Sequence, residues 1–219
     1  GSDHTCALLS DGQVRCWGPG TNGMLGYDST SDVGSGAAPF NNISDAGDVP
    51  VGGRVIQLSL GTTHSCALLS TGAVRCWGSG AGGKLGHDSV ANIGDGVGQT
   101  IATAGDIPLG GTAVQITAGP NHTCALLTTG AIRFWGMGTL GRLGYNNTAN
   151  VGDGGTSIIQ AGDVPVGGKA VLVSVGGGWW SVTGAGGNRP SAGQQGQRGH
   201  KPDGEPDGDV LHDAQQQRQ

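Results

Sequence analysis

Three histidines, His4, His64 and His122, each stand two residues before a cysteine: Cys6, Cys66 and Cys124. The first two cysteines have a second one ten positions further on, Cys16 and Cys76. Imidazole and thiol are the groups of acid–base catalysis, nucleophilic attack and zinc binding. Their spacing speaks against all three. Zinc sites use close pairs such as C-x-x-C, and none occurs. A His-x-Cys is at most half a site, because alternate residues of a strand simply share a face. The histidines recur at intervals of 60 and 58 residues, so equivalent copies in equivalent units stand far apart and cannot form one catalytic group. The expectation is structural: each ring bonds a backbone group of the neighbouring unit. No phosphate loop with its lysine is present, and no Ser/His/Asp set assembles without arbitrary choice. The chain reads as not an enzyme, with no cofactor and no metal.

The elements that carry these residues are hairpins. HTCALLSDGQVRCWG (residues 4–18) returns as HSCALLSTGAVRCWG (64–78) and HTCALLTTGAIRFWG (122–136). Each holds two alternating runs around Ser-Asp-Gly, Ser-Thr-Gly or Thr-Thr-Gly. Gly12, Gly72 and Gly130 sit where a three-residue hairpin loop needs a left-handed residue. Pairing about Asp11 sets Cys6 opposite Cys16 and Leu8 opposite Val14; pairing about Thr71 sets Cys66 opposite Cys76. Cross-strand disulfides are expected at both pairs, each closing a loop worth about 2–3 kcal/mol in the chain-entropy model. Cys124 faces Phe134 and is left over. Disulfides imply an oxidising compartment: secreted, periplasmic or cell-surface.

The 219 residues include 47 glycines, about three times ordinary usage, without the three-residue period of collagen. Many tight turns follow. Net charge is −5, and residues 1–178 hold seven Lys/Arg against eleven Asp/Glu. A nucleic-acid binder needs a basic stripe to neutralise phosphate, and none is visible. No apolar run reaches bilayer length, so no membrane insertion is expected. The chain has no initiator Met and opens inside a repeat, which reads as a fragment or a processed product.

Within each unit the order is constant. The hairpin leads into a glycine ladder ending Gly26-Tyr27, Gly86-His87 or Gly144-Tyr145. A polar Asn/Asp/Ser/Thr stretch follows, then AGDVPVGG, AGDIPLGG or AGDVPVGG again, then a short strand from Arg54, Ala113 or Ala170. Helical periodicity is absent, so the class is all-β. The recurring G-x-x-H-[ST]-C-A-L-L, G-x-[VI]-R-x-W-G and G-x-x-G-x-L-G-[YH] resemble the repeats of the regulator of chromosome condensation family, with a further resemblance to bacterial secreted propellers of the β-lactamase inhibitory protein II type. The resemblance covers residues 1–178. It implies a partial β-propeller of four-stranded antiparallel blades, three full repeats and a degenerate fourth, with binding surfaces on the propeller faces. Trp17, Trp77 and Trp135, repeating at blade spacing, would pack between blades.

The fourth unit, residues 179–219, departs from the pattern. His and Cys are due near positions 179 and 181, where the chain reads GGGWWSVTGAGG. Later glycines fit either a frame-altered repeat or a polar tail, and residues from about 189 onward lack the apolar surface to fold alone.

Length variation concentrates after the glycine ladder: 20 residues from Gly26 to Ala46, 18 from Gly86 to Ala104, 17 from Gly144 to Ala161. Repeat insertions map to loops on one face. Loops 27–45, 87–103 and 145–160 are therefore the expected recognition surface, with Tyr27, Phe40, His87 and Tyr145 as its amphipathic members. Blade packing competes for the three that repeat; Phe40 does not repeat. The loops match no calcium motif, and Asp48, Asp106 and Asp163 read as turn residues before Val-Pro or Ile-Pro. The function expected is a non-catalytic module that binds a protein or other macromolecule. The alternative, from the family resemblance, is a guanine-nucleotide exchange factor-like regulator of a small GTPase. Three units make an open arc whose end blades present unpaired strand edges, inviting self-association.

Overall fold

A computed structural model describes residues 1–176 and 180–184. The first hairpin forms strands β1 (Thr5–Leu8) and β2 (Val14–Trp17), with Cys6 opposite Cys16 and Leu8 opposite Val14. Its turn closes through Gly12 N–H to Leu9 C=O, with Gly12 at φ 90°. The second unit is a sheet of β3 (Val55–Leu60), β4 (His64–Leu69) and β5 (Val74–Gly78). The third repeats it as β6 (Ala113–Ala118), β7 (His122–Leu127) and β8 (Ile132–Gly136). Strand β9 (Ala170–Val175) then begins a fourth sheet with β10 (Trp180–Gly184), Val175 facing Trp180 as Leu60 faces Ser65. The rest of the degenerate fourth unit, 177–179 and 185–219, lies outside the described residues.

Every ladder is antiparallel, as expected, but the full sheets hold three strands rather than four. The outermost position is reduced to isolated pairs, Gly18 with Val33, Gly78 with Ile93 and Gly136 with Val151. The segment that would fill it contains Pro50, Pro108 or Pro165, which cannot donate to a ladder. A single helical turn also interrupts it: α1 (Ile43–Ala46), α2 (Ile101–Ala104) or α3 (Ile158–Ala161). Thr100 with Thr103 and Ser157 with Gln160 form reciprocal capping boxes, and at α1 the Asp45 carboxylate accepts from the Asn42 N–H. These turns are too short to give helical periodicity.

The inner strands β3, β6 and β9 lie side by side. The Gln57 amide donates to the Ile116 carbonyl and accepts from its N–H at 2.9 and 3.0 Å. Gln115 repeats this on Val173 at 2.8 and 3.2 Å. The ends of these strands, with Gly1, Gly61, Gly119 and Gly176, line one depression of about 290 Å³. A single apolar core runs through all the blades and includes Leu68, Leu85, Ile116, Leu126, Leu143 and Val173.

Cys6–Cys16 and Cys66–Cys76 are bonded, with S–S distances of 2.03 and 2.01 Å, and Cys124 is a buried free thiol. Non-reducing peptide mapping of the native protein is expected to recover those two links and an unlinked Cys124. A Cys6–Cys66 peptide would contradict the register itself.

Candidate functional site: the blade junction and the loop row

The histidines are at blade junctions. His4 Nε2 lies 2.8 Å from Ser65 Oγ, and His64 Nε2 lies 2.8 Å from Thr123 Oγ1. The partner is thus a hydroxyl of the next blade, not the backbone group expected, and that hydroxyl passes the bond on to backbone. Ser65 Oγ donates to the Met24 carbonyl at 2.9 Å, and Thr123 Oγ1 to the Lys84 carbonyl at 3.1 Å. The indoles converge on the same acceptors: Trp77 Nε1 to Met24 O at 3.1 Å, Trp135 Nε1 to Lys84 O at 3.0 Å. One glycine-ladder carbonyl therefore takes a hydroxyl and an indole from the following blade. Gly61 and Gly119 leave the space the imidazoles need; a Cβ at Gly61 would overlap the His64 ring.

Burial sets the charge state of these rings. His4 is lowered from the ordinary 6.5 to about 4, chiefly by burial and then by the nearby N-terminal ammonium. His64 falls to about 3, by burial first and Lys84 second, and His122 to about 4, by burial and then Arg142. All three are neutral near pH 7, fixed in hydrogen bonding or stacking rather than poised for proton transfer. The His122 ring stacks on Phe134, 6.1 Å between centroids, where the other hairpins carry a disulfide.

Asp48, Asp106 and Asp163, read from sequence as turn residues, also form ion pairs. Each meets the arginine of its own hairpin: Arg15 at 2.8 Å, Arg75 at 2.7 Å and Arg133 at 2.9 Å. The signal was present in the fixed Arg and Asp of every unit.

The expected binding residues divide. The Tyr27 hydroxyl accepts from Cys16 N–H at 3.0 Å and reaches the Cys16 and Gly47 carbonyls. Tyr145 does the same with Phe134 and Gly162. Both tie the outer hairpin strand to the AGD turn of their own blade. His87 takes the equivalent place, half-buried, with Nε2 unbonded among the described residues. The Phe40 ring is half-buried against Tyr27, centroids 6.0 Å apart, at a position taken by Gln99 in the next unit.

The loops themselves form a connected row. Ser29 N–H donates to the Gly94 carbonyl at 3.1 Å, and Ser89 N–H to the Gly152 carbonyl at 3.0 Å. Asp32, Asn92 and Asn150 cap Gly20, Gly80 and Gly138 from within. The row exposes Val90, Val97 and Ile159. Sequence reasoning passed over these three because nothing in the repeat marks them. In the third loop, Tyr145, Asn147, Asn150, Thr156, Gln160 and Asp163 border a cleft of about 380 Å³.

Antiparallel sheets laid side by side, inner strands linked to one another and joined by a repeated junction, define a protein of β-propeller blades. The regulator of chromosome condensation (RCC1) repeat matches residues 1–23, 55–83 and 113–142, one segment in each blade. Among curated proteins the chain is 32% identical over 146 residues to human E3 ubiquitin-protein ligase HERC2, covering 66% of this chain and 3% of that one. It is 37% identical over 99 residues to the Arabidopsis thaliana ultraviolet-B receptor UVR8, 45% of this chain and 21% of that one. Mouse RCC1 domain-containing protein 1 is 26% identical over 181 residues, 69% of this chain and 46% of that one. The chain thus spans less than half the length of each of these relatives. Prp20p of Saccharomyces cerevisiae shares the fold at TM-score 0.57 and 18% identity, over 83% of this chain and 41% of that one. Human WBSCR16 does so at 0.53 and 22%, over 78% and 40%.

Because the folded histidines bind protons only near pH 3–4 while unfolded ones do so near 6.5, the unfolded state takes up more protons between those values. Their stability contribution is complete above about pH 6.5 and is lost as pH falls toward 4. Urea midpoints are expected to drop over that range, and imidazole NMR shifts of His4, His64 and His122 to stay flat through pH 6. Ser65→Ala, which leaves the buried His4 Nε2 without its partner while the Met24 carbonyl keeps the Trp77 indole, is expected to cost about 1–3 kcal/mol in the same assay.

Proposed function

We propose that this chain is a non-catalytic repeat module that binds a protein or other macromolecule through loops 27–45, 87–103 and 145–160. The observation that carries this reading is the backbone-linked loop row, which holds three variable segments together and exposes Val90, Val97 and Ile159 on them. Exposed apolar side chains framed by polar ones are the anchors of interfaces. Relatives that share the repeat are named for unlike activities, a ubiquitin-protein ligase and a light receptor among them. That variety supports assigning specificity to loops rather than to the shared blade. Phe40, beside Tyr27 at the base of the first loop, supports the surface from below. Tyr27 and Tyr145 contribute by holding the loop ends, and His87 stands at the equivalent place in the second unit.

The two bonded cysteine pairs support an extracytoplasmic setting. They also weigh against the exchange-factor reading, which needs a reducing compartment. Thiol titration of protein taken from its native source without reductant is expected to find no reactive thiol when folded and one, Cys124, on unfolding. Five thiols without reductant would transfer support to the exchange factor.

A photo-crosslinking side chain at Val97 is expected to capture the partner, and one at Thr71 on the hairpin tip is not. Val90→Asp with Val97→Asp should weaken binding by about tenfold or more while leaving the melting temperature unchanged. Capture from Thr71 alone would place recognition on the opposite end of the blades.

A further inference from the structure

Charge on the blades is sorted by position. The loops 27–45, 87–103 and 145–160 hold six aspartates, Asp28, Asp32, Asp45, Asp88, Asp95 and Asp153, and no lysine or arginine. The rest of residues 1–178 holds seven Lys/Arg against five Asp. Among the described residues, none of those cations pairs with a loop aspartate. Arg15, Arg75 and Arg133 pair instead with Asp48, Asp106 and Asp163. Lys84 Nζ donates to Thr63 Oγ1 at 3.0 Å, and Arg142 Nε to the Thr139 carbonyl at 2.9 Å. Arg54 and Lys169 stand against Gly12 and Gly130, in turns at the hairpin tips. The loop carboxylates meet neutral donors: Asp32 takes the Gly20 N–H, and Asp95 and Asp153 take the Asn92 and Asn150 amides.

Two seams of the loop row repeat one arrangement. At the first, the Ser29 N–H to Gly94 carbonyl bond sets Asp28 beside Asp95. Val97, whose N–H donates to Asp95 Oδ1 at 3.0 Å, stands 80% exposed there. At the second, the Ser89 N–H to Gly152 carbonyl bond brings Asp88 toward Asp153, and Val90, next after Ser89, is 58% exposed. Burial first, and the Asp95 charge second, hold the Asp28 carboxyl above the usual carboxylate range. Its Oδ1 is enclosed without a hydrogen-bond partner among the described residues. Each seam therefore combines an exposed valine with carboxylate charge that no cation of the described residues neutralises. The valine offers contact area, and the carboxylates select the sign of what covers it.

We propose that the loop row takes a protein partner with a basic segment in which apolar side chains stand among lysines or arginines. Its cations lie on the Asp28–Asp95 and Asp88–Asp153 seams, and its apolar side chains cover Val97 and Val90. The proposal rests on the reading of the loops as the recognition surface and adds the chemistry of what they recognise. Charge complementarity sets the occupant. An acidic protein or a nucleic acid would bring like charge against the aspartates. A second copy docked through the same loops would set these aspartates against their own counterparts. A metal ion alone would leave Val90 and Val97 uncovered.

The test is fluorescence anisotropy of a labelled Lys/Val peptide titrated with the whole chain, with a Glu/Val peptide of equal length as counter-probe. The Lys/Val peptide is expected to bind, and to weaken steeply as salt is raised, while the Glu/Val peptide does not bind. Asp88→Asn should weaken binding about threefold, and Asp28→Asn with Asp88→Asn about tenfold. Asparagine suits the position: Asn146 holds it in the third unit at φ 59°, against 53° and 52° for Asp28 and Asp88. Thermal melting confirms the fold of each variant. Asp11→Asn removes the same charge at a hairpin tip and is expected to change nothing. Val97→Ser alters no charge and should weaken binding about threefold. Equal weakening by Asp11→Asn and Asp88→Asn overturns the proposal, since attraction would then belong to the whole chain. Indifference to Val97→Ser overturns it as well, as does binding of the Glu/Val peptide. Photo-crosslinking at Val97 separates this inference from the reading beneath it. Capture of a partner whose contact surface is not basic refutes the partner chemistry and keeps the loops as the recognition surface. Capture from Thr71 alone refutes both.

Discussion

The blades stand together through one backbone carbonyl. A three-stranded sheet of five- and six-residue strands has two apolar faces and cannot bury both by itself. Stacking sheets solves that, but it also removes water from the polar groups at each contact, and those groups then need partners. At the Met24 and Lys84 carbonyls two donors from the next blade arrive at once, and the preceding histidine completes the hydroxyl's bonding. The contact is apolar in area and polar in register. A blade rotated or slid by one residue would keep much of the apolar contact while leaving an indole, a hydroxyl and an imidazole buried and unpaired. Each such orphan costs about 1–3 kcal/mol, so the junction selects a single geometry.

That constraint accounts for the most fixed residues in the sequence. The histidine, the following Ser or Thr, the tryptophan and the glycine three places before the histidine all serve the junction. They are chemistry-bearing types used for assembly, and their burial is what silences them: an imidazole held well below its ordinary 6.5 is a neutral hydrogen-bonding ring. The disulfide serves a different purpose. It fastens one hairpin internally, and the third blade does without it because Phe134 fills the space and stacks on His122.

Much of this was legible in advance because it repeats. Period gave the blades, glycine position gave the hairpin turns, and alternation gave the register that joins Cys6 to Cys16 and Cys66 to Cys76. What repetition could not give was the partner across a junction. The residue that satisfies His4 is 61 positions away, and only the relative placement of two blades makes Ser65 rather than a backbone group the answer. The fourth strand was over-read for a local reason: a Pro and a one-turn helix break the ladder, yet a four-residue helix leaves no periodic trace. Its caps did leave one, in Ser157-x-x-Gln160. The apolar loop residues Val90, Val97 and Ile159 were invisible for the converse reason, since they do not recur.

The two kinds of position have opposite relations to change. A junction residue is coupled to the neighbouring blade on each side, so substituting one leaves several others unsatisfied and the effects are not additive. A loop residue such as Val97 is coupled to little, because the loop's own backbone is already fixed by Asp95 on the Val97 N–H, by the Asn92–Asp95 pair and by the Ser29–Gly94 bond. The loop row therefore has a rigid frame and free side chains. Such an arrangement lets the exposed side chains of the loops vary without touching what holds the blades together, and it separates the residues that make the fold from those that do not.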